Sequence, residues 1–200
     1  LVALGALAGS LATALLRRSA APATARPQPT FRQLTKLPGG EGNPTIAPDG
    51  ESFVFVKRDG DDTDLFLQRI DGTKPIPLTT DCTQDDTDPA FSPDGRTIAY
   101  RSDCGGGGIF VMGATGEASR RVTDFGYAPA WSPDGTELAV VTERTGAPTS
   151  RNSVSQLCAV KVDSGARRRV TELDAMAPTW SPDGRRIAFW GLRDETFQRD

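Results

Sequence analysis

A seven-residue motif occurs four times in this 200-residue chain and constrains its fold more than any other feature. Every copy begins with Pro and ends with Pro-Asp-Gly, and the copies start 45, 40 and 49 residues apart, at Pro44, Pro89, Pro129 and Pro178. Self-similarity at such a period is typical of one supersecondary unit repeated along a chain. The sequence therefore predicts a tandem-repeat structure.

The last three residues of each motif have the chemistry of a tight turn. Pro presets φ near −65°, Asp bonds to its own backbone and Gly accepts a positive φ. A catalytic role for the four aspartates is the competing interpretation, but a residue present in every repeat indicates architecture. We predict structural turns at Pro48, Asp49, Gly50, Pro93, Asp94, Gly95, Pro133, Asp134, Gly135, Pro182, Asp183 and Gly184.

Each turn is followed by strand-like sequence. Apolar residues alternate with period two directly after the turns, which predicts a second strand with one side facing a neighbouring unit: Phe53/Phe55, Ile98/Tyr100, Leu138/Val140 and Ile187/Phe189. Third strands are predicted at 65–68, 109–112 and 157–160, and fourth strands at 78–79, 122–123 and 170–171. Four strands in 40 to 50 residues indicate an all-β propeller of four-stranded blades.

The predicted ring is partial. Phe31–Thr35 has the pattern of a fourth strand with no blade before it, so we expect it to close the ring as the outer strand of the last blade. The prediction is thus a closing strand, three full blades and the start of a fourth. The sequence opens on Leu1 and stops at Asp200 within a repeat, so further sequence is expected at both ends.

The N-terminus is apolar. Residues 1–16 carry no charge and Arg17 and Arg18 follow, so we predict that 1–18 is a transmembrane anchor remnant. A signal peptide cleaved near Ala23–Ala25 is the alternative, and a buried helix is a third. Residues 19–30 are predicted to be a Pro/Ala-rich linker and 31–200 the propeller domain, incomplete at its C-terminus. An anchor or a signal peptide would place that domain outside the cytoplasm, in the periplasm.

Composition excludes several functions. The net charge is −3 with 24% charged residues, so no nucleic-acid partner is expected. The chain has no His, which removes Ser-His-Asp and Cys-His catalysis and His-based zinc sites from these residues. We expect no catalytic activity in this segment and no cofactor.

Two of the three cysteines lie in irregular segments. Cys82 precedes the first strand of blade two, and Cys104 lies between its second and third strands. Those two connections emerge on the same face of an up-and-down blade, so the pair is a disulfide candidate, which fits an oxidising compartment. Cys158 lies on a third strand and is interpreted as a buried free thiol.

Other irregular features are candidates for function. Asp81, Asp85, Asp86 and Asp88 form an acidic segment, for which a calcium site is one interpretation and a solvated loop the favoured one. Trp131 and Trp180 are interpreted as packing between blades, with ligand stacking as the alternative. The excursion at 143–156 is an insertion of the kind found on binding faces, and Gly105–Gly108 is interpreted as a flexible connection.

The repeats resemble the PD40, or TolB-like, β-propeller family over about residues 31–200. A narrower resemblance, to the C-terminal propellers of bacterial membrane-anchored serine/threonine protein kinases, comes from 90–103, 108–113 and 122–131. In those proteins a kinase domain precedes one transmembrane helix and the propeller lies outside. No kinase motif is present here, so kinase activity would belong to preceding sequence.

The resemblance implies a binding or sensing module, anchored to the membrane through residues 1–16, with a protein or small-molecule ligand on one propeller face. Two other functions stay open. Similar propellers gate substrate access in prolyl-oligopeptidase-like serine peptidases, where a Gly-x-Ser-x-Gly segment would follow. TolB-like periplasmic proteins act in the cell envelope and in translocation.

Overall fold

The computed structural model describes residues 30–144 and 153–192, and almost every regular element in them is a β-strand. The one helical element among these residues is a 3-10 turn at Cys104–Gly106. The predicted anchor, 1–18, and residues 19–29 of the predicted linker, 19–30, lie outside the described residues. Within the described ranges, no helix has both the length and the apolarity needed to cross a bilayer.

The strands form three antiparallel sheets of four and one of two, each in chain order from first to last strand. Blade one contains β1 Glu41–Ile46, β2 Ser52–Asp59, β3 Asp62–Arg69 and β4 Ile76–Pro77. Blade two contains β5 Asp86–Phe91, β6 Thr97–Ser102, β7 Gly108–Gly113 and β8 Arg120–Arg121. Blade three contains β9 Tyr127–Trp131, β10 Glu137–Val141, β11 Leu157–Lys161 and β12 Arg167–Arg169. Blade four starts with β13 Met176–Trp180 and β14 Ile187–Trp190, which confirms the predicted fold class.

The fourth strands end earlier than predicted, at 77, 121 and 169. In blade one the ladder makes one further bond, from Leu78 N–H to the Leu65 carbonyl at 2.8 Å. A threonine hydroxyl then replaces the backbone acceptor, because Leu65 N–H donates to Thr79 Oγ1 at 3.0 Å. Blade two has the same hydroxyl acceptor, with Ile109 N–H donating to Thr123 Oγ1 at 3.1 Å. The predicted Leu-Thr and Val-Thr pairs therefore follow directly after these strands.

The alternating side chains of each second strand pack against the preceding blade. Ile98 and Tyr100 of blade two contact Val54, Val56 and Leu65 of blade one. The next two interfaces repeat this arrangement with Leu138 and Val140 on blade two and Ile187 and Phe189 on blade three. Burying one such Val, Leu or Ile side chain stabilises the fold by about 1.5–3 kcal/mol. Each pair of stacked blades therefore encloses its own hydrophobic cluster.

The predicted closing strand stays a prediction: residues 31–35 belong to no strand in the described structure, and the inner strands of the last blade are predicted to lie beyond Asp200. A fourth strand needs a third strand to pair with, and the described residues contain none for it. Leu34 and Leu37 instead pack on the face of blade one formed by Phe53, Phe55 and Phe66. These side chains cover a sheet face rather than extend a sheet edge.

The first strand of every blade contains a feature that periodicity did not predict. The residue before the first Pro of each motif has a positive φ: Asn43 (46°), Asp88 (53°), Ala128 (47°) and Ala177 (44°). The strand register shifts at the same places, as in a β-bulge. A positive φ is costly for Ala and less so for Asn and Asp, so the backbone is strained most at Ala128 and Ala177.

The Pro-Asp-Gly turns share one hydrogen-bond pattern. In blade two, Gly95 N–H donates to the Ser92 carbonyl at 2.9 Å, and the φ of Gly95 is +71°. Asp94 Oδ1 accepts from the Ser92 hydroxyl at 2.6 Å and from Arg96 N–H at 3.1 Å. Blades three and four have the same bonds around Asp134 and Asp183. The structure thus uses these aspartates to build turns.

The turns are charge-dependent. The Ser92 hydroxyl, and secondly the Arg96 amide, hold the pKa of Asp94 below its ordinary value, and Ser132 and Ser181 do the same for Asp134 and Asp183. A carboxyl whose pKa is lowered by folding stabilises the protein above its unfolded pKa. That contribution disappears as the pH falls through the folded value. The turns should therefore lose this contribution below about pH 4.

Blade one allows a direct test, because Ala47 stands where the other motifs have serine. Its turn keeps the bond from Glu51 N–H to Asp49 Oδ1 at 2.9 Å but has no hydroxyl. We expect Ala47→Ser to raise the urea midpoint more at about pH 6 than at about pH 2.5. Ser92→Ala should lower the midpoint more at the higher pH, with a pH-independent part from the lost bond to Thr97 N–H. Circular dichroism in urea measures both, and an equal loss from Ser92→Ala at the two pH values would contradict a role for the ionised turn.

Candidate functional site

The irregular segments lie on one side of the blades. Connections between second and third strands, and between a fourth strand and the next first strand, leave the opposite strand ends from the Pro-Asp-Gly turns. We call the side formed by 79–85, 102–108 and 122–127 the loop face, and the side with the Pro-Asp-Gly turns the turn face. The turns of successive blades meet there, since the Cβ position of Gly95 lies 3.4 Å from Pro48.

A disulfide spans the loop face. Cys82 and Cys104 are bonded, with their Cα atoms 6.3 Å apart, and the bond links the segment before β5 to the segment after β6. Beside it, Asp103 N–H donates to the Asp85 carbonyl at 2.9 Å. Both connections of blade two are therefore held together covalently and by the backbone. Cys158 is free and buried on β11, and burial raises the pKa of its thiol.

Arg101 joins blade two to blade three. Its guanidinium donates to the Asp103 carboxylate, at 2.9 Å from Nε, and to the Gly126 carbonyl at 3.2 Å. The same group lies 4.5 Å from the centre of the Tyr127 ring, in a cation–π contact. The side chain is buried, so its charge is compensated where it lies. The loops of two blades are thus held in one arrangement.

Sequence reasoning missed Arg101, although a signal was present. It follows Tyr100 at the end of β6, in the register where the other blades have Val56 and Val141. Those valines are buried. A charged residue in a row of core positions requires a partner, and this was the detectable sign of a special contact.

The four aspartates of the acidic segment do not come together. Asp81 is exposed, Asp85 lies 3.9 Å from Arg144 in an ion pair, Asp86 is buried and Asp88 belongs to the bulge of β5. Residues 30–144 and 153–192 contain no group of three or more Asp, Glu, Cys or His side chains placed to hold a metal ion. The structure therefore does not support the calcium interpretation.

Asp86 and Asp88 have separate structural roles. Burial raises the pKa of Asp86, against the opposing effect of hydrogen bonds from Ser102 and Thr79, and its Oδ1 has no hydrogen-bond partner among the described residues. Asp88 accepts from Asn43 Nδ2 at 2.8 Å and from Ala128 N–H at 3.2 Å. Asp88 thus links the bulged first strands of three successive blades.

The insertion at 143–156 is described only at its ends, and 145–152 lie outside the described residues. At its C-terminal end, Ser155 N–H donates to Asp174 Oδ1 at 2.8 Å. The other carboxylate oxygen of Asp174 accepts from Leu192 N–H at 2.7 Å. The base of the insertion is therefore bonded to the loop-face connections of blade four.

The tetraglycine segment is not simply a flexible connection. Gly105 to Gly108 all have positive φ, and Gly107 and Gly108 are buried. A Cβ on Gly108 would lie 1.9 Å from the Thr123 carbonyl oxygen. Glycine is required there because two backbone segments meet too closely for any side chain.

The two tryptophans connect blades, as the packing interpretation predicted. Trp131 Nε1–H donates to the Ala90 carbonyl of the preceding blade at 2.9 Å, and Trp180 Nε1–H to the Ala130 carbonyl at 3.1 Å. Both rings are half-buried at the interfaces between blades.

Stacked four-stranded antiparallel blades define the class of β-propeller proteins. The TolB β-propeller domain (PD40) matches residues 28–127, and the chain belongs to this family. Over 109 residues it is 33% identical to the uncharacterized peptidase YuxL of Bacillus subtilis, covering 49% of this chain and 16% of that protein. Over 63 residues it is 43% identical to the Tol-Pal system protein TolB of Alcanivorax borkumensis, covering 29% of this chain and 14% of that one.

Structural similarity agrees with this family. A candidate TolB from Agrobacterium tumefaciens superposes with a TM-score of 0.66 at 26% identity, over 79% of this chain and 56% of that one. The chain spans about a sixth or less of the length of the curated relatives it matches.

Proposed function

We propose that this chain is a non-catalytic, extracytoplasmic propeller module that presents its loop face to a protein partner. The observation that carries the proposal is the bonding of that face. The Cys82–Cys104 disulfide and the Arg101 contacts hold the loops of blades two and three in one arrangement. Loops held before binding lose less conformational entropy on association, which favours a recognition surface.

The same bond supports the proposed location. Structural disulfides persist in oxidising compartments such as the periplasm. The resemblance to a Tol-Pal system protein supports the same compartment. A membrane anchor or a signal peptide at residues 1–18, as the sequence predicts, would agree with it. In this proposal the anchor connects the loop face to a cytoplasmic output domain, for which a serine/threonine kinase is the arrangement that the sequence resembles.

A peptidase-associated propeller is the second candidate. It is supported by the 33% identity with an uncharacterized peptidase. In that case the propeller would screen substrates for a hydrolase domain encoded beside it. A Gly-x-Ser-x-Gly segment downstream would favour this function, and kinase motifs upstream would favour the first. A short exported protein that contains neither of these motifs would favour an envelope protein of the TolB type.

Site-specific photo-crosslinking tests the choice of face. We expect a photoreactive phenylalanine at Gln84, an exposed position on the loop face, to crosslink one discrete protein in the envelope of the source bacterium. The same residue at Arg185, exposed on the turn face, is the matched control and should give no product. The product from Gln84 should be lost in the Cys82→Ser/Cys104→Ser protein. A product from Arg185 alone, or from neither position, would refute loop-face binding.

A further inference from the structure

A cavity of about 570 Å³ opens on the turn face between blades two and three. We call it the first notch, and its lining includes Asp94, Thr97, Val111, Arg120, Trp131 and Asp134. Its volume lies within the range of about 300–1,000 Å³ that is usual for small-molecule sites. The notch is on the opposite side from the proposed protein-binding surface and is independent of that proposal.

Two carboxylates provide acceptors at the rim of the notch. Asp94 and Asp134 each use Oδ1 in their own turns. In the described part of the chain, no donor bonds to Oδ2 of either side chain. Because their pKa values are lowered, both groups are ionised at neutral pH and accept strong, charge-assisted hydrogen bonds.

Arg120 provides donors beside them. Its guanidinium makes one hydrogen bond, to the Val162 carbonyl at 2.9 Å, and it has no ion-pair partner among residues 30–144 and 153–192. A guanidinium has five N–H donors in a fixed plane, so several remain for a ligand. Its positive charge also disfavours a cationic ligand between the two aspartates.

An aromatic and an aliphatic side chain supply the apolar part. The Trp131 indole is fixed because its N–H donates to the Ala90 carbonyl at 2.9 Å. Val111 is buried in the core cluster that packs against it and also lines the cavity. A held ring with apolar neighbours is a surface on which a flat, partly apolar ligand stacks.

We propose that the first notch binds a neutral pyranose sugar. A pyranose has C–H groups that stack on an indole and adjacent hydroxyls that both donate and accept. The carboxylates of Asp94 and Asp134 would accept from those hydroxyls, while the guanidinium of Arg120 donates to them. A cation would be repelled by Arg120, and a dianion by the two aspartates.

The neighbouring interface provides an internal comparison. Between blades three and four, a second notch of about 490 Å³ has the equivalent turns, Trp180 and Arg168. There Glu137 occupies the register of Thr97 and forms an ion pair with Arg168 at 2.8 Å. The donors of that arginine are neutralised, so the second notch should bind sugar poorly or not at all.

Indole N–H signals distinguish the two notches in solution. The probes are the methyl glycosides of glucose, galactose, mannose and N-acetylglucosamine, added to the full chain to about 50 mM, well above a millimolar dissociation constant. We expect at least one of them to shift the Trp131 signal saturably and to leave the Trp180 signal unchanged. Trp131→Phe and Trp180→Phe assign the two signals.

A reciprocal exchange tests the mechanism. Thr97→Glu gives the first notch the carboxylate that neutralises the second, and should weaken binding at least tenfold. Glu137→Thr should make the Trp180 signal respond to the same sugar. Arg120→Gln should weaken binding, whereas Arg69→Gln, an exposed arginine of blade one paired with Glu51, should not.

The proposal is overturned by any of three results. The Trp131 signal does not move with any of the four sugars, Thr97→Glu binds as tightly as the parent protein, or Arg69→Gln weakens binding as much as Arg120→Gln. Thermal unfolding of each variant shows whether a loss of binding reflects a loss of folding.

Discussion

Reduction of the Cys82–Cys104 disulfide is expected to lower the free energy of unfolding by about 3 kcal/mol. The bonded residues are 22 apart in sequence. Opening a loop of that size gives the unfolded chain more conformational entropy, and this entropy lowers the free energy of unfolding by about that amount. The loss should be concentrated in blade two, because the bond joins both of its loop-face connections. Urea unfolding with and without a phosphine reductant measures the effect.

Two variants make this result specific. The Cys82→Ser/Cys104→Ser protein should unfold at the midpoint of the reduced parent and should not respond to reductant. Cys158→Ala removes the buried free thiol and should keep the full response, since Cys158 forms no disulfide. If reductant leaves the parent midpoint unchanged, the disulfide does not stabilise this fold.

Substitution of Gly108 by Ala should cost about 3 kcal/mol or more, enough to disrupt blade two. The φ of Gly108 is +144°, and its Cβ would lie 1.9 Å from the backbone carbonyl oxygen of Thr123. That carbonyl accepts from Arg121 Nε at 3.1 Å, and the hydroxyl of Thr123 is bonded to Ile109 N–H. The clash is with a held backbone segment, so it is not relieved by moving a side chain.

Gly106→Ala is the matched control within the same run of glycines. Its φ is +91°, but a Cβ there would meet no atom within 4 Å. We expect a cost of about 1–2 kcal/mol from the backbone conformation alone. Thermal and urea unfolding of both variants measure the difference. Equal costs for the two substitutions would show that close approach to Thr123 is not the controlling factor.

Local rules accounted for much of the fold. Pro-Asp-Gly specifies a turn through the φ of Pro and of Gly, and the structure has Gly95 at +71° as those rules require. Period-two alternation identified Ile98 and Tyr100 as the residues that meet the preceding blade. Both inferences depend on neighbours in sequence.

The closing strand at Phe31–Thr35 stays a prediction for a related reason. Its sequence resembles a fourth strand, but strand formation requires a partner edge, and none is present for it in the described residues. Likewise, the bulge at Asp88 cannot be inferred from alternation, because it arises where the first strands of successive blades converge.

The sequence by itself determined the repeat, the turn residues, the strand order and the face on which Cys82 and Cys104 lie. These depend on backbone preferences and on a period that recurs along the chain. The tertiary structure decided which residues meet. Arg101 reaches the carbonyl of Gly126, 25 residues away, and Asn43 reaches Asp88, 45 residues away. Such partners come together only when blades stack, since each contact depends on the packing of a whole interface and not on neighbouring residues.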